Sequence, residues 1–244
     1  MQASEFEFRH RFWVIGAIFA VAFACHTFDH VNVVIALLGA LRRRIGASEA
    51  GFRAWAHAAF LAGTGLVALA AALRTWATAY LRVGVVQDHA LRSEGLVADG
   101  PYRFVRNPLY LATIAMSVGI GMMASRTGFV VIVAAMLVFH LRLIGREEAG
   151  LAAAQGERYR AYLRAVPRLL PALRPRAPAS GARPDWREGF LGETAFWIIA
   201  AGTATFAITF TALWCLLFVA LAFPLQSLCI ALSVRSPGPE PDPR

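Results

Sequence analysis

Two groups of polar residues in this apolar chain have side chains that could bind a charged small molecule. The first is the stretch GPYRFVRNPLY at residues 100–110, which places arginines, tyrosines and an asparagine directly before an apolar run. The second is Arg146-Glu147-Glu148, which follows another apolar run. Adjacent carboxylates at a membrane boundary are costly unless they bind something. A helix N-terminus, in turn, attracts anions such as a carboxylate.

Each group also has a purely structural interpretation. In the first group, Gly100 and Pro101 are typical of a turn, and Pro108 suits the first turn of a helix. Asn107 lies where an N-cap residue is expected. In the second group, nearby arginines at helical spacing could neutralise the glutamates. Neither group alone therefore establishes a binding site.

Composition indicates a membrane protein. The chain has 244 residues, of which 58% are hydrophobic and 16% are charged, and the apolar residues are concentrated in long runs. Soluble domains carry about 25% charged residues. The net charge of +9 is typical of arginine-rich cytoplasmic loops in a polytopic membrane protein. Basic residues are not interleaved with aromatics as in nucleic-acid-binding proteins, so no nucleic-acid partner is expected.

Residue usage excludes several kinds of chemistry. All 24 basic residues are arginine, so lysine Schiff bases and the lysine of phosphate-binding P-loops are absent. The three cysteines lie in apolar runs without a CxxC motif, which is typical of buried free thiols. The first apolar run lacks the cleavage site of a signal peptide.

Five apolar runs predict an all-α polytopic fold with five transmembrane helices. The short connection between the third and fourth runs predicts a tight helical hairpin. The last run is about twice the roughly 20 residues that a span needs. It could form two short helices, but we favour one helix with an extension kinked at Pro224. The runs cover residues 12–41, 55–73, 109–124, 128–144 and 194–234.

Polar segments predict the orientation of this single membrane-embedded domain, residues 1–234. Residues 142–187 contain ten arginines and are expected to face the cytoplasm of a bacterial inner membrane. Residues 74–107 are then cytoplasmic too, because a helical hairpin separates the two segments. Arg42, Arg43 and Arg44 conflict with this orientation unless the first run is not a simple span. Residues 173–187 are a predicted linker, and residues 235–244 a disordered tail.

Taken together, three stretches in register resemble a known family. GPYRFVRNPLY, then REEAGL after the hairpin, then QGERYRAYLRAVPRLLP follow one another in the order and spacing of the isoprenylcysteine carboxyl methyltransferase and phospholipid N-methyltransferase group. These are integral-membrane methyltransferases whose corresponding motifs read approximately GPYRYVRHPxY, EExxL and FGxxYxxYxxxVPxxxP. The resemblance covers residues 95–171, about a third of the chain.

The resemblance implies that the helix ends and a capping helical segment enclose S-adenosylmethionine at the cytoplasmic face. The acceptor would be a lipophilic carboxylate, amine or thiol that enters from the lipid. Arg146 and Glu147 are the expected catalytic residues, with Arg146 orienting an anionic acceptor. The residues expected to bind the cofactor are Gly100, Tyr102, Arg106, Asn107, Pro108, Tyr110, Glu148, Tyr159 and Tyr162.

The sequence departs from the family motif at two positions. Asn107 stands where the family usually has histidine, and it cannot titrate near neutral pH. A hydrogen-bonding role survives there, but a role as general base does not. Gln155 replaces an aromatic residue of the third motif. Methyl transfer is an in-line displacement at an activated sulfonium carbon, so the enzyme mainly aligns the nucleophile and excludes water.

The first apolar run contains CHTFDHVN, and other interpretations begin there. Asp29 and His30 are candidates for a substrate pocket, as is His140, which shares a helix face with Glu147. A metal oxidoreductase is less consistent with the sequence, because only six scattered histidines are present and no metal site is predicted. A non-catalytic membrane protein whose arginine-rich face binds anionic lipid remains the alternative.

Overall fold

The computed structural model describes residues 2–81 and 98–234. Within these residues the chain is helical and contains no strand, which confirms the predicted all-α fold. The third motif's residues are described, but residues 95–97 of the family-like stretch and the tail at 235–244 lie outside the described ranges. The helices are α1 (Glu5–Arg9), α2 (Arg11–Ala24), α3 (Val33–Ile45), α4 (Glu49–Leu81), α5 (Pro108–Gly121), α6 (Arg126–Gln155), α7 (Glu157–Ala165), α8 (Trp186–Gly192), α9 (Thr194–Thr209) and α10 (Ala212–Val234).

Among the described residues, fewer helices have the length and hydropathy of a membrane span than the five predicted. By length and hydropathy, the described residues contain three such helices, α4, α6 and α10, or four if α8 and α9 form one bent span. The helices α2 and α5 each have 14 residues. At 1.5 Å per residue each is about 21 Å long, shorter than the roughly 30 Å hydrocarbon core. The polytopic architecture is confirmed, but apolar composition overestimated the number of full-length spans.

The first apolar run is broken rather than a simple span. Helix α2 ends in a 3-10 turn at Cys25–Thr27, and α3 begins only at Val33. Asn32 caps α3, because its side-chain oxygen accepts hydrogen bonds from the backbone of Val34 and Ile35. Its amide group also donates to the carbonyl of Ala124 at 2.9 Å. Contacts with the distant α5–α6 turn therefore stabilise the interruption between α2 and α3. The local hydropathy of the first run did not indicate this interruption.

The last apolar run is a helical hairpin, so the prediction of one helix with an extension kinked at Pro224 is wrong. The chain reverses at Phe210, whose φ of 54° lies in the left-handed region. Gly202 allows the two helices to approach closely, since a Cβ atom there would lie 2.7 Å from Phe218. Pro224, the predicted kink, lies inside α10 instead. Small residues thus pack α9 against α10, as is common between membrane helices.

The predicted hairpin between the third and fourth runs is present. Ser125 caps α6 by accepting a hydrogen bond from the backbone of Gly128. Gly128 lets α2 pass close by, because an added Cβ would lie 2.2 Å from the carbonyl oxygen of Ala22. Helix α6 then continues for 30 residues, well beyond the predicted end at Ile144. Arg146, Glu147 and Glu148 therefore lie on the same uninterrupted helix as the membrane-spanning residues.

Helix α4 is the long axis of the molecule and packs against α5, α9 and α8. Its 33 residues correspond to about 50 Å. At one end Glu49 forms an ion pair with Arg42 of α3. At the other end the ring of Tyr80 packs against Gly100. Arg42, Arg43 and Arg44 consequently lie at the end of α4 opposite the family motifs, which the arginine distribution did not predict.

The linker after α7 is packed against the first motif. Its backbone pairs with the motif through Ala172 N–H to Phe104 O and Arg176 N–H to Arg103 O, at 2.9 and 2.8 Å. Asp99 accepts hydrogen bonds from the backbone of Ser180 and Ala182, both at 2.9 Å. We call residues 172–185 the strap. It ends where Asp185 caps α8.

Candidate functional site

The three motifs come together at one end of the helix bundle. A 3-10 turn at Gly100–Arg103 and the start of α5 carry the first motif, and the second half of α6 carries the second. Helix α7 and the residues after it carry the third. Direct hydrogen bonds link all three, as described below. The sequence-predicted grouping of the motifs is therefore present in the fold.

Backbone conformation explains the glycine and prolines of the first motif. Gly100 has a φ of 57°, and an added Cβ would lie 2.4 Å from the ring of Tyr80, so no side chain fits there. Pro101 lies in the first turn of the 3-10 segment, and Pro108 begins α5. Asn107 does not cap α5 with its side chain, contrary to the prediction. Its amide group points to Glu148 instead.

Glu148 is the centre of a charged network, which we call the Glu148 hub. Its side chain is 6% exposed. One carboxylate oxygen accepts hydrogen bonds from Arg106 Nε at 2.9 Å and Asn107 Nδ2 at 3.1 Å. The other accepts from Arg168 Nη2 at 2.6 Å. The hub therefore joins the three motifs and uses both oxygens of the carboxylate.

The same two donor residues also bind backbone carbonyls after α7. Arg106 Nη1 donates to the carbonyl of Val166 at 2.6 Å, and Asn107 Nδ2 donates to the carbonyl of Arg168 at 3.1 Å. Charge-assisted hydrogen bonds of this kind are stronger than neutral ones. They fix the end of α7 over the start of α5. Asn107 thus donates hydrogen bonds through an amide group that does not change its protonation with pH.

Glu147 has a different environment from its neighbour. Its carboxylate accepts a hydrogen bond from the hydroxyl of Tyr110 at 2.6 Å. The ring of Tyr110 meets the ring of His140 edge to face, with centroids 5.5 Å apart. His140 is buried and its Nδ1 lies 2.7 Å from the carbonyl oxygen of Met136. Glu147 and Tyr110 are only partly buried, so this group borders accessible space.

Arg146 points toward the N-terminal segment. Its Nη1 donates to the carbonyl of Ala3 at 3.3 Å, and its guanidinium lies 5.6 Å from the ring centre of Phe8. Glu7 of α1 pairs with Arg142 one turn earlier, at 2.7 Å. The Nε of Arg146 is buried and has no hydrogen-bond partner among the described residues. This side chain therefore keeps one unused donor beside the motifs.

Three tyrosines form the aromatic wall of the site. The hydroxyl of Tyr162 donates to the carbonyl of Tyr102 at 2.7 Å, and the rings of Tyr159 and Tyr162 lie 5.8 Å apart. Burial raises the pKa of all three hydroxyls above the ordinary value, so they remain protonated. The hydroxyl of Tyr102 is buried without a hydrogen-bond partner in the described part of the chain. Such an unsatisfied group is costly and is often found at binding sites.

Sequence reasoning missed a second buried ion pair beside the motifs. Arg74 near the end of α4 donates to Glu193 at 2.6 Å, and Thr78 donates to the same carboxylate at 2.6 Å. Arg74 also donates to Thr113 of α5 and lies 4.0 Å from the ring centre of Phe196. The available signal was weak: each residue stands alone at the edge of an apolar run, 119 positions from the other.

Two of the residues predicted for a substrate pocket lie away from the three motifs. Asp29 is at the α2–α3 break, where it accepts hydrogen bonds from Arg126 at 2.9 Å and from the backbone of Thr127 at 2.8 Å. These bonds lower the pKa of Asp29 below its ordinary value. His30 follows it and is exposed. Both lie at the α5–α6 turn, a helix length from Glu147, whereas His140 belongs to the site.

The described ranges 2–81 and 98–234 contain no group of three histidine, cysteine or acidic residues that could hold a metal ion. His89 lies outside them. The site described above is therefore built from arginines, carboxylates, an amide and tyrosines. That donor set suits an organic ligand carrying both positive and negative charges.

Comparison with known proteins gives one match. Residues 58–158 match the family model of the phospholipid methyltransferases. No curated protein and no solved structure matches the chain. The matched residues include α5, the hairpin, the whole of α6 and the start of α7. This match confirms the resemblance that the three motifs indicated, to the phospholipid and isoprenylcysteine methyltransferase-like group of membrane proteins.

Proposed function

We propose that this protein transfers a methyl group from S-adenosylmethionine to a lipophilic acceptor at the membrane. The observation that carries the proposal is the contrast between two adjacent carboxylates. Both oxygens of Glu148 accept hydrogen bonds, from Arg106, Asn107 and Arg168, whereas Glu147 is a partly buried residue that accepts from Tyr110 on one oxygen. The Glu148 hub would hold the surrounding helices in place, and the carboxylate of Glu147 would accept hydrogen bonds from a cationic ligand.

The residues present fit the cofactor, whose bound form supplies a methyl group on an activated sulfonium. Glu147 would accept hydrogen bonds from its ammonium or ribose hydroxyls. The hydroxyl of Tyr102 is a protonated, buried donor without a partner among the described residues. The faces of Tyr102 and Tyr110 provide a site for a sulfonium cation. Gly100 and Pro108 shape the backbone around them.

The other predicted cofactor residues act mainly through position. Arg106, Asn107 and Glu148 hold the segment after α7 against α5, and Tyr159 and Tyr162 close the aromatic wall. By burying the site they exclude water, which otherwise competes with the acceptor. We therefore assign direct cofactor binding to Glu147 and Tyr102, and a positioning role to the Glu148 hub.

The acceptor side of the site is proposed to include Arg146, Glu147 and His140. The unused Nε of Arg146 supports a role in orienting an anionic acceptor. A carboxylate acceptor needs no general base, because it is already a nucleophile. Asn107 cannot serve as a base for an amine or thiol. The acceptor class, phospholipid amine or prenylated carboxylate among others, is best identified by extracting labelled product after incubation of membranes with radiolabelled cofactor.

Calorimetry of the purified protein with S-adenosylmethionine tests cofactor binding. We expect saturable binding for the natural chain and at least tenfold weaker binding for Glu147→Gln, because a charge-assisted hydrogen bond is worth about 1.5–3 kcal/mol. Glu157→Gln is the matched control, since Glu157 is an exposed glutamate on α7 that pairs only with nearby arginines. No binding by the natural chain at submillimolar cofactor would contradict the proposal and favour a non-catalytic, lipid-binding role.

We also propose that the end carrying Glu147 faces the cytoplasm of a bacterial inner membrane. Ten arginines between residues 142 and 187 support this orientation. Arg42, Arg43 and Arg44 at the other end oppose it. A phosphatase that is active only outside the cytoplasm should be active when inserted after Gly46 and inactive when inserted after Gly181. The reverse pattern would invert the orientation.

A further inference from the structure

A cavity lies at the end of the bundle opposite the Glu148 hub. It has a volume of about 400 Å³ and lies between α3, the first part of α4 and the α9–α10 turn. This size falls within the range of small-molecule sites in proteins. Its walls are mainly apolar, with Phe52, Ala56, Phe60, Phe206 and Phe210 among the lining residues. None of these residues takes part in the proposed methyl transfer.

The cavity is built from rigid and strained parts. The ring of Phe60 contacts those of Phe206 and Phe210 edge to face, with centroids 5.2 and 5.8 Å apart. Phe210 adopts a left-handed backbone conformation that costs free energy for a residue with a side chain. His57 stabilises this conformation by stacking on Phe210 at 4.2 Å and by bonding to the carbonyl of Ala207 at 2.7 Å. Contacts within the protein therefore hold the phenylalanine rings of this cavity in place.

One positively charged side chain lines the cavity. It belongs to Arg53, which is exposed, and within residues 2–81 and 98–234 no carboxylate forms an ion pair with it. Asn32 also lines the cavity, but its amide hydrogens are already donated to the carbonyls of Met122 and Ala124. His26 is the other polar residue that lines the cavity. Arg53 carries the permanent positive charge, so its guanidinium is the group suited to bind the anionic part of a ligand whose remainder is apolar.

We propose that this cavity binds one acyl chain of an anionic phospholipid, with the lipid phosphate paired to Arg53. An apolar aromatic wall requires an apolar ligand, and an unpaired guanidinium at its rim requires an anion; an anionic lipid supplies both. The site is independent of the proposed methyl transfer, because it lies at the other end of α4. It holds a structural lipid at the opposite membrane face rather than a substrate.

Native mass spectrometry of the detergent-purified protein tests the lipid site. Phosphatidylglycerol and phosphatidylcholine with the same acyl chains are added in equal amounts, with inorganic phosphate in a separate titration. We expect phosphatidylglycerol to be retained in preference, and Arg53→Gln to reduce this preference about tenfold. Ala212→Trp should weaken the binding of both lipids, because the exposed rim residue Ala212 would then obstruct the cavity.

Arg43→Gln is the matched control, because Arg43 is an exposed arginine on the same end of the molecule that does not line the cavity. Its lipid preference should equal that of the natural chain. Equal loss in Arg43→Gln and Arg53→Gln would show a general surface-charge effect and overturn the site. Equal retention of the two lipids, no retention of either, or displacement of the lipid by millimolar phosphate would overturn the proposal as well.

Discussion

Two glutamates, Glu148 and Glu193, are each buried and paired with arginine, yet they have different places in the molecule. Glu148 is held by donors from two sequence motifs and joins α5, α6 and the chain after α7. Glu193 is held by Arg74 and Thr78 and joins α4 to the start of α9. Both therefore act as tethers between helices. In the site we propose, the comparison assigns Glu148 the same tethering role as Glu193, and the cofactor would bind to its neighbour Glu147.

The largest expected effect comes from Glu148→Ala. This change leaves the guanidinium groups of Arg106 and Arg168 without their acceptor, and removing one partner of a buried ion pair costs about 3–5 kcal/mol. We expect a large fall in the thermal unfolding midpoint in detergent, together with loss of cofactor binding. Glu148→Gln should recover part of both, since the amide oxygen still accepts. An unchanged midpoint with lost binding would instead make Glu148 a direct ligand.

Glu193→Ala should destabilise the fold by about 3 kcal/mol without a specific effect on the site, because it strands the buried charge of Arg74. The double variant Arg74→Met with Glu193→Leu should recover most of the lost stability, since well-packed apolar residues can replace a buried ion pair. Thermal unfolding of the natural chain, Arg74→Met, Glu193→Leu and the double variant gives the coupling between the two residues. A double variant that is stable but has lost cofactor binding would show that this pair also belongs to the site.

Tyr102→Phe should separate binding from stability. The hydroxyl has no hydrogen-bond partner among the described residues, so its removal should leave the unfolding midpoint unchanged or raise it slightly. Affinity for S-adenosylmethionine should fall about five- to tenfold, the value of one hydrogen bond of about 1 kcal/mol or slightly more. Tyr162→Phe is the contrasting variant, because its hydroxyl bonds to the carbonyl of Tyr102 and should affect stability instead. If Tyr102→Phe binds S-adenosylmethionine as tightly as the natural chain, the assignment of Tyr102 to cofactor binding is wrong.

Asn107→His restores the residue usual in the family and should have a smaller effect. Asn107 donates to both Glu148 and the carbonyl of Arg168, whereas a neutral imidazole has one N–H. We expect about 1 kcal/mol of lost stability near pH 8 and recovery at lower pH, where the protonated ring donates from both nitrogens. Thermal unfolding between pH 5.5 and 8 measures this change. A pH-independent loss would mean that the imidazole does not reach Glu148.

The smallest expected effect concerns the contact between Asp99 and the strap. Hydrogen bonds from Ser180 and Ala182 hold the pKa of Asp99 below its ordinary value. Their contribution to stability is therefore complete above the ordinary carboxyl pKa of about 4 and is lost as the pH falls through the lowered pKa. Asp99→Asn should mimic the acid state at pH 7. Hydrogen exchange at Ser180 and Ala182 should be faster in this variant, while exchange in α6 stays the same.

Local sequence patterns predicted what depends on local physics. Hydropathy predicted the helical class, the α5–α6 hairpin and the positions of most helices. The three motifs predicted which residues meet at one end, including Arg106, Glu148 and Tyr162. Their spacing was informative because the α5–α6 hairpin returns the chain to the same end of the bundle. The second motif therefore lies beside the first. Composition also overestimated the number of full-length spans, since α2 and α5 are apolar but short.

Features that depend on distant contacts were not predictable. The break at Cys25–Thr27 is fixed by Asn32 and Asp29 binding the α5–α6 turn, about 95 residues away in sequence. The reversal at Phe210 depends on packing against His57 and Phe60. Asn107 looked like a helix cap because its type and position suit one, but the buried carboxylate of Glu148 was the stronger acceptor. Arg74 and Glu193 carried no signal until the fold joined them.

The strap sets the length of the smallest fragment that can keep the site intact. The family match ends at residue 158 and the motifs end at residue 171. A chain cut there would lose the groups that pair with Asp99 and with the backbone of Arg103 and Phe104. We therefore expect the folding unit to extend at least to Asp185, whose backbone N–H donates to the carbonyl of Ala79 near the end of α4. The family match includes most residues of the proposed site. The strap, which follows the matched residues, is the additional segment that we expect a fragment to need in order to keep that site folded.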